Sequence, residues 1–147
     1  MSEQRDMKIV TLADLEDEAV RAVEWARKQV PMAYAPYSHF PVSCVLVLEG
    51  GDFVTGVNVE NSSYGLTVCA ERVAVFDAVK HGHREFRLLV VVTQTEEPGT
   101  PCGACRQVLS EFAEDLRILL VGQEKILDCR LSDLLPHAFR DWRQGES

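Results

Sequence analysis

Residues 88–93 read Leu-Leu-Val-Val-Val-Thr, a short run of apolar and β-branched residues that predicts a buried strand. A loop is predicted at 95–101, and a helix follows at 102–114. Two more short strands are predicted at 117–121 and 125–129. Because strands that alternate with helices fold into layers, this half of the chain predicts an α/β domain.

The first half of the chain continues the alternation. Apolar residues recur at helical spacing from Leu12 to Val30, after a capping signal at Thr11 and before Pro31. Residues 49–52, Glu-Gly-Gly-Asp, form the turn of a hairpin, so the sheet is expected to be mixed rather than parallel. The other predicted elements are a loose leader at 1–10, strands at 41–48 and 53–59, a helix at 69–81 and a short helix at 132–135.

Composition limits the class of protein. The 147 residues carry a net charge of −8, with 15 basic and 23 acidic residues, which disfavours a nucleic-acid partner and favours a small soluble ligand. The chain has no apolar stretch long enough for a membrane span, and its first six residues are polar. The sequence therefore predicts a cytoplasmic protein with no membrane partner, folded as one domain over 1–147. Five cysteines, an odd number, favour metal binding over a disulfide framework.

Three of the five cysteines lie where helices are predicted to begin. They occur in Cys69-Ala70-Glu71 and in Pro101-Cys102-Gly103-Ala104-Cys105. Cys102 and Cys105 are three residues apart and so share one helix face. Thiolates favour zinc, and a site with three protein ligands leaves a fourth position for water, as in catalytic zinc sites. The sequence predicts one catalytic zinc ion held by Cys69, Cys102 and Cys105.

Glu71 lies beside a predicted zinc ligand, on a helix face that it shares with Ala74 and Val75. Apolar surroundings raise the pKa of a carboxyl group, which suits a residue that takes and returns protons near pH 7. We therefore predict that Glu71 is catalytic. Zinc with three thiolates has a net charge of −1, so a cation is expected nearby. Arg72 and Arg106 each follow a motif residue, and Arg72 is the preferred partner of a thiolate.

The two motifs match the pattern H-x-E…P-C-x-x-C of zinc-dependent nucleobase deaminases, with cysteine as the first ligand. From about residue 15 to Phe139 the chain resembles the small free-nucleoside cytidine deaminases. The resemblance implies an α/β fold, a three-layer α/β/α sandwich with a five-stranded mixed sheet, and usually a homotetramer. It rests on five motifs in order: Ala35-Pro36-Tyr37-Ser38-His39-Phe40-Pro41-Val42, Gly56-Val57-Asn58-Val59-Glu60-Asn61, Cys69-Ala70-Glu71-Arg72, Pro101-Cys102-Gly103-Ala104-Cys105-Arg106-Gln107 and Leu134-Leu135-Pro136.

The same resemblance implies the reaction. Cytidine or 2′-deoxycytidine is hydrolysed to uridine or 2′-deoxyuridine and ammonia, as in pyrimidine salvage, with one zinc ion per subunit. Activated water attacks C4 of the base, while Glu71 moves its proton to N3 and helps ammonia to leave. The matching pocket residues are, by role, Asn58 and Glu60 for the ribose, Phe40 against the base, the backbone N–H of Ala70 for the base carbonyl, and Tyr64 and Phe139 near a neighbouring subunit's site.

Three stretches depart from the common sequence of that family. Ser43-Cys44 stands where Gly-Ala is common, and residues 62–67, Ser-Ser-Tyr-Gly-Leu-Thr, differ from the usual loop before the first ligand. The tail 140–147 begins Arg-Asp-Trp, where many relatives have Gly-Pro. These stretches bear on base modification and sugar preference and leave the zinc motif intact.

Several alternatives stay open at the level of sequence. The same chemistry would serve a related aminopyrimidine nucleoside, such as a modified cytidine or a blasticidin-like antibiotic. A polynucleotide editor would need basic tracks or stacking platforms, and a non-enzymatic zinc module would need no Glu71. The three motif cysteines could be ordinary core residues, or could hold a structural zinc with a distant histidine as fourth ligand. Cys44 and Cys129 are expected to be plain core residues.

Overall fold

The structure is a computed structural model, and it describes residues 7–113 and 115–140. Short 3-10 turns occur at Leu12–Asp14, Val30–Met32 and Tyr64–Leu66. The strands are β1 (Lys8–Val10), β2 (Val42–Leu48), β3 (Phe53–Val57), β4 (Phe86–Thr93), β5 (Arg117–Val121) and β6 (Ile126–Arg130). The helices are α1 (Asp17–Gln29), α2 (Ala70–Lys80), α3 (Gly103–Phe112) and α4 (Leu131–Leu134).

The strands form one mixed sheet in the order β1-β6-β5-β4-β2-β3. Strands β4 and β5 are parallel, with Val90 opposite Leu119, and α3 lies in the connection between them. The other neighbouring pairs are antiparallel, including the hairpin of β2 and β3. That hairpin turns at Gly51, whose φ of 101° lies in the left-handed region that glycine tolerates. The mixed sheet expected from the hairpin is therefore confirmed.

Alternate residues of the central strands face two separate cores. Val45 and Val47 of β2 pack under α1, whereas Leu46 and Leu48 pack under α2 and α3. This alternation follows from the two-residue period of a strand and gives helix–sheet–helix layers. The predicted three-layer α/β fold is confirmed. Cys44 and Cys129 are buried in the core on the α2 side, as expected.

The sheet has six strands in the described part of the chain, and the prediction of five was wrong. The additional strand is β1, within the segment that we predicted to be a loose leader. It pairs antiparallel with β6, with Lys8 opposite Asp128 and Val10 opposite Ile126. A strand of three residues carries almost no periodicity, and it forms because β6 offers an unpaired edge. Residues 1–6 of that leader lie outside the described residues.

Several element boundaries also differ from the predictions. The Asp14 carboxylate accepts from the backbone N–H of Thr11, which closes a 3-10 turn, and α1 begins only at Asp17. The second hairpin strand ends at Val57 rather than at residue 59. Helix α3 ends at Phe112, short of the predicted residue 114, which lies outside the described residues. None of the helices in the described ranges is long and apolar enough to cross a membrane.

Candidate active site

Two helices direct their N-termini at the same point. Cys69 is the residue immediately before α2, and Cys102 occupies the same position before α3; both have extended backbone conformations. Cys105 lies in the first turn of α3. The N–H groups at a helix start carry partial positive charge, so both helices favour thiolates at these positions. The predicted helix starts at 69 and 102 are thus the capping residues of the observed helices.

The three sulfur atoms form a compact cluster. The Sγ atoms of Cys69 and Cys102 are 3.8 Å apart, and those of Cys102 and Cys105 are 3.4 Å apart. All three lie within 4.8 Å of one another, and no histidine from residues 7–113 or 115–140 joins them. Sulfurs bonded to one tetrahedral zinc at about 2.3 Å would lie about 3.8 Å apart, so this donor set fits zinc.

Arg72 is the cation next to the cluster. Its Nη2 lies 3.5 Å from the Sγ of Cys69. Hydrogen bonds from Cys105, Arg72 and Cys102 lower the pKa of the Cys69 thiol to about 5, against the opposing effect of burial. Arg106 is placed differently, because it donates to the carbonyl oxygens of Pro101 and Leu134 at 2.8 and 2.6 Å. It therefore ties the loop before Cys102 to the end of α4.

Glu71 lies in the first turn of α2 with only 5% of its surface exposed. Burial raises the pKa of its carboxyl group to about 7, and the neighbouring Cys69 pushes in the same direction. Ala74 and Val75 share its buried helix face, as the sequence pattern suggested. A carboxyl group that titrates near neutral pH can both accept and donate a proton, which is what a proton shuttle requires.

A cleft of about 400 Å³ opens over the thiol cluster. Cys69, Ala70 and Glu71 form one part of its lining, and Cys102 another, whereas Cys105 lies buried below it. Ala70 is the first residue of α2, so its N–H has no partner within the helix and is available to a ligand. The remaining lining residues are Ser38, Phe40, Val42, Asn58, Glu60, Thr67, Thr93, Gly99 and Thr100.

Asn58 and Glu60 both line the cleft, and both also brace the segment that carries Phe40. The Asn58 amide accepts from the N–H of Val42 and donates to the carbonyl of Phe40, each at 2.9 Å. Glu60 Oε1 accepts from the N–H groups of Tyr37 and Ser38, and Oε2 accepts from the Ser38 hydroxyl. The Ser38 side chain is the first cause of the lowered pKa of Glu60, so this carboxylate is ionised at neutral pH.

The predicted aromatic residues fall in three places. Phe40 lines the cleft with about half of its surface exposed. Tyr64 is 76% exposed and packs edge-on against Tyr37 in a second cleft of about 400 Å³ that continues past Glu60. Phe139 is 71% exposed and lies outside both clefts of its own chain, where its carbonyl accepts from Gln107. Of the tail at 140–147, residues 141–147 lie outside the described residues.

Some residues that shape the site were not singled out from the sequence for this purpose. Gly56 lets α2 approach β3, because a Cβ there would lie 2.2 Å from the carbonyl oxygen of Ala70. A glycine inside a strand was the available signal, since it often marks such a close approach. Cys44 donates its thiol to the same carbonyl at 3.2 Å. Thr93 and Gly99 carried no recognisable pattern.

Comparison with known proteins, by sequence and by structure, finds similarity to cytidine deaminases. Residues 16–120 match the family model described as cytidine and deoxycytidylate deaminase zinc-binding region. A cytidine deaminase of Sporosarcina psychrophila is 46% identical over 116 residues, which is 78% of this chain and 85% of that protein. The crystal structure of a cytidine deaminase from Burkholderia pseudomallei superposes with a TM-score of 0.79 at 43% identity, covering 85% of this chain and all of that one. A blasticidin-S deaminase of Bacillus cereus is more distant, at 27% identity over 84% of this chain and 93% of its own.

Proposed function

The chain belongs to the cytidine and deoxycytidylate deaminase family, and from that premise we propose that it hydrolyses cytidine and 2′-deoxycytidine to the uracil nucleosides and ammonia. One observation carries the proposal. The buried Glu71 lies at the floor of the same cleft that exposes Cys69 and Cys102 and is lined by Asn58 and Glu60. The cleft therefore combines a metal donor set, a proton carrier and groups able to hold a sugar.

The donor set supports one zinc ion per subunit, held by Cys69, Cys102 and Cys105. When bound, zinc activates water as a nucleophile at neutral pH. The N-termini of α2 and α3 and the guanidinium of Arg72 offset the charge of three thiolates, so that the site does not accumulate excess negative charge.

The side chains and backbone of the cleft then carry out proton transfer and hold the base and the sugar. Glu71 takes one proton of the activated water and passes it to N3 of the base. After the water oxygen has bonded to C4, Glu71 takes the remaining proton of that oxygen and passes it to the amine, which leaves as ammonia. Its pKa of about 7 leaves both directions of transfer accessible. The N–H of Ala70 holds the base carbonyl, and the ring of Phe40 covers the base. Asn58 and Glu60 keep the Phe40 segment in place and present polar atoms to the ribose.

The charges of the cleft favour a nucleoside over its 5′-phosphate. Glu60 is ionised, and none of the residues that line the cleft, all within the described ranges, is Lys, Arg or His. A phosphate dianion placed beside the sugar would meet a carboxylate and no balancing cation. We therefore expect free nucleosides to be the substrates, in keeping with the net charge of −8.

A decisive assay follows loss of the cytidine absorbance band. Zinc-loaded protein is incubated with cytidine, 2′-deoxycytidine, cytidine 5′-monophosphate, adenosine and short single-stranded DNA, with Glu71→Gln as the matched isosteric variant. We expect turnover of the first two substrates only, and none by the variant. Inertness towards both nucleosides in a protein that carries one zinc per chain would overturn the proposal.

Blasticidin S should be tested as a further substrate in the same assay. The cleft lined by Tyr37 and Tyr64 continues the nucleoside site beyond Glu60 and offers room for a larger substituent on the sugar. This observation favours a blasticidin-like aminopyrimidine nucleoside as the alternative substrate. A kcat/KM for blasticidin S above that for cytidine would select this alternative.

We also propose that the chain assembles as a homotetramer. Exposed large apolar side chains are concentrated in segments 32–37 and 59–66, which adjoin residues that line the cleft; they are Met32, Tyr34, Tyr37, Val59, Tyr64 and Leu66. Such surface favours association, and Tyr64 and Phe139 are suitably exposed to reach a neighbouring subunit's site. Light scattering behind size exclusion should give four chains per particle. The cytoplasmic location and the role in pyrimidine salvage stay predictions.

A further inference from the structure

The loop that joins β4 to α3 leads directly into a metal ligand. It leaves the sheet at Thr93 and ends at Cys102, and Gly99 and Thr100 within it line the cleft. Cys105 is buried in α3, whereas Cys102 is exposed at the capping position. The place of the Cys102 sulfur therefore depends on how this loop is held.

Thr93 holds the loop through a directed chain of hydrogen bonds. Its Oγ1 accepts from the N–H of Gly99 at 3.2 Å and lies 2.9 Å from the Oγ1 of Thr95. Thr95 donates its single hydroxyl proton to the carbonyl of Glu97. Since each hydroxyl has one proton, Thr93 must be the donor to Thr95. The two threonines thus link a backbone donor at 99 to a backbone acceptor at 97.

The methyl group of Thr93 adds a steric contact to the same place. A Cβ on Gly99 would lie 3.0 Å from the Cγ2 of Thr93, which is closer than side chains ordinarily pack. Thr93 is itself only 4% exposed. The hydroxyl of Thr93 therefore holds Gly99 by its N–H, and the methyl group leaves too little room for a side chain at residue 99.

The two halves of the loop have different anchors. The first half is tied to the turn after β5. There the N–H of Gln123 donates to the backbone carbonyl of Thr95, and Lys125 forms an ion pair with Glu97. The second half approaches Cys102 and is held by Thr93 at Gly99 and by Arg106 at Pro101. The Thr93 contact is thus the one that lies in the wall of the cleft.

We propose that Thr93 is a positioning residue for the deamination reaction, which sets the Gly99–Thr100 wall and the approach of Cys102 to the metal. The proposal rests on the proposed function for its kinetic readout. It assigns to Thr93 a role that acts through the loop and not through contact with the reacting atoms.

The test compares Thr93→Val, which keeps the shape and removes the hydroxyl, with Thr93→Ser, which keeps the hydroxyl. Thr55→Val on β3 is the matched control, because Thr55 lines neither cleft. We expect Thr93→Val to lower kcat/KM for cytidine about tenfold at an unchanged zinc content, and Thr93→Ser to stay within about threefold of the wild type. All rates are taken well below the melting temperature of each variant, so that lost stability does not contribute.

The steric contact between the Thr93 methyl group and residue 99 gives a second, independent test. Gly99→Ala should lower kcat/KM, and Thr93→Ser in the same chain should restore most of it by removing the methyl group that the new Cβ meets. Cobalt(II)-loaded protein supplies a readout without turnover, because visible bands report the ligand geometry. These bands should change in Thr93→Val and stay unchanged in Thr93→Ser and Thr55→Val.

Wild-type kinetics and cobalt bands in Thr93→Val, or no rescue of Gly99→Ala, would overturn the proposal. If the wild-type protein deaminated no nucleoside at all, the proposed function would fall, and the cobalt bands would still decide whether Thr93 sets the position of Cys102 at the metal.

Discussion

Gly56 of β3 and Ala70 of α2 touch so closely that a Cβ on Gly56 would lie 2.2 Å from the carbonyl oxygen of Ala70. The same Cβ would lie 2.8 Å from the backbone nitrogen of Ala74. The contact sets the depth at which the start of α2 rests on the sheet. Cys69 and Glu71 flank Ala70, so this contact also sets the position of a metal ligand and of the proton carrier.

Gly56→Ala should therefore displace α2 and impair the site. The added methyl group meets backbone atoms that cannot rotate away, and we expect a loss of about 3 kcal/mol in the free energy of unfolding, at the upper end of overpacking effects. Zinc content should fall with it. Gly50→Ala is the matched control, since no atom of the described part of the chain lies within 4 Å of its Cβ position. Urea unfolding with metal analysis would decide, and a stable, fully loaded Gly56→Ala protein would contradict the expectation.

The two arginines beside the motifs should behave differently. Arg72→Ala removes the guanidinium from the Sγ of Cys69, and we expect a 10- to 100-fold loss of zinc affinity in a chelator competition, as for other partners of metal ligands. Arg106→Ala removes the donor to Pro101 and Leu134 but, within the described ranges, no hydrogen bond to a motif thiol, so it should lower the unfolding free energy and reduce zinc affinity less than Arg72→Ala does. Equal zinc affinities in wild-type protein and Arg72→Ala would refute this assignment.

Glu60→Gln tests the link between the sugar side of the cleft and the Phe40 segment. The amide keeps the size of the side chain but loses the charge that accepts from Ser38 and Tyr37. We expect KM for cytidine to rise about tenfold with a smaller change in kcat, because the group holds substrate rather than reacting atoms. Glu49→Gln, on the exposed hairpin turn, is the control. A change confined to kcat would show that the interpretation is wrong.

An ion pair far from the site gives a pH-dependent prediction. Arg117 donates to Glu16, and this hydrogen bond lowers the pKa of the Glu16 carboxyl group. A lowered pKa in the folded state stabilises the protein above the ordinary glutamate pKa, and the contribution is lost as the pH falls through the folded value. Glu16 is more than half exposed, so the effect is screened.

Glu16→Gln should therefore cost about 0.5 kcal/mol of unfolding free energy at pH 7, and the difference from wild type should shrink at an acidic pH below the ordinary glutamate pKa. Glu24→Gln on α1, for which no ion pair is seen within residues 7–113 and 115–140, is the control at both pH values. Urea unfolding at both pH values measures it. A difference that grows on acidification would have the wrong sign.

The local patterns of the sequence were enough to predict the layers of the fold. The continuous apolar run that became β4 predicts a buried strand, and the Gly-Gly turn before β3 predicts a hairpin, so both are local signals. The prediction was wrong at β1, whose three residues form a strand only because the edge of β6 is available. It was also wrong at the start of α1, where Asp14 closes a separate turn.

The amino-acid sequence by itself determined which side chains can hold zinc and carry a proton, because the type and spacing of the three cysteines and of the glutamate beside Cys69 can be read directly from it. The tertiary structure alone decided that Cys69 and Cys102, 33 residues apart, bring their sulfurs to 3.8 Å. It also decided where the two arginines lie: Arg72 lies 3.5 Å from the Sγ of Cys69, and Arg106 donates to the carbonyl of Pro101. The sulfur–sulfur distance and the positions of the arginines depend on how closely α2 and α3 pack on the sheet. Distances between residues far apart in the chain produce no repeating pattern in the sequence.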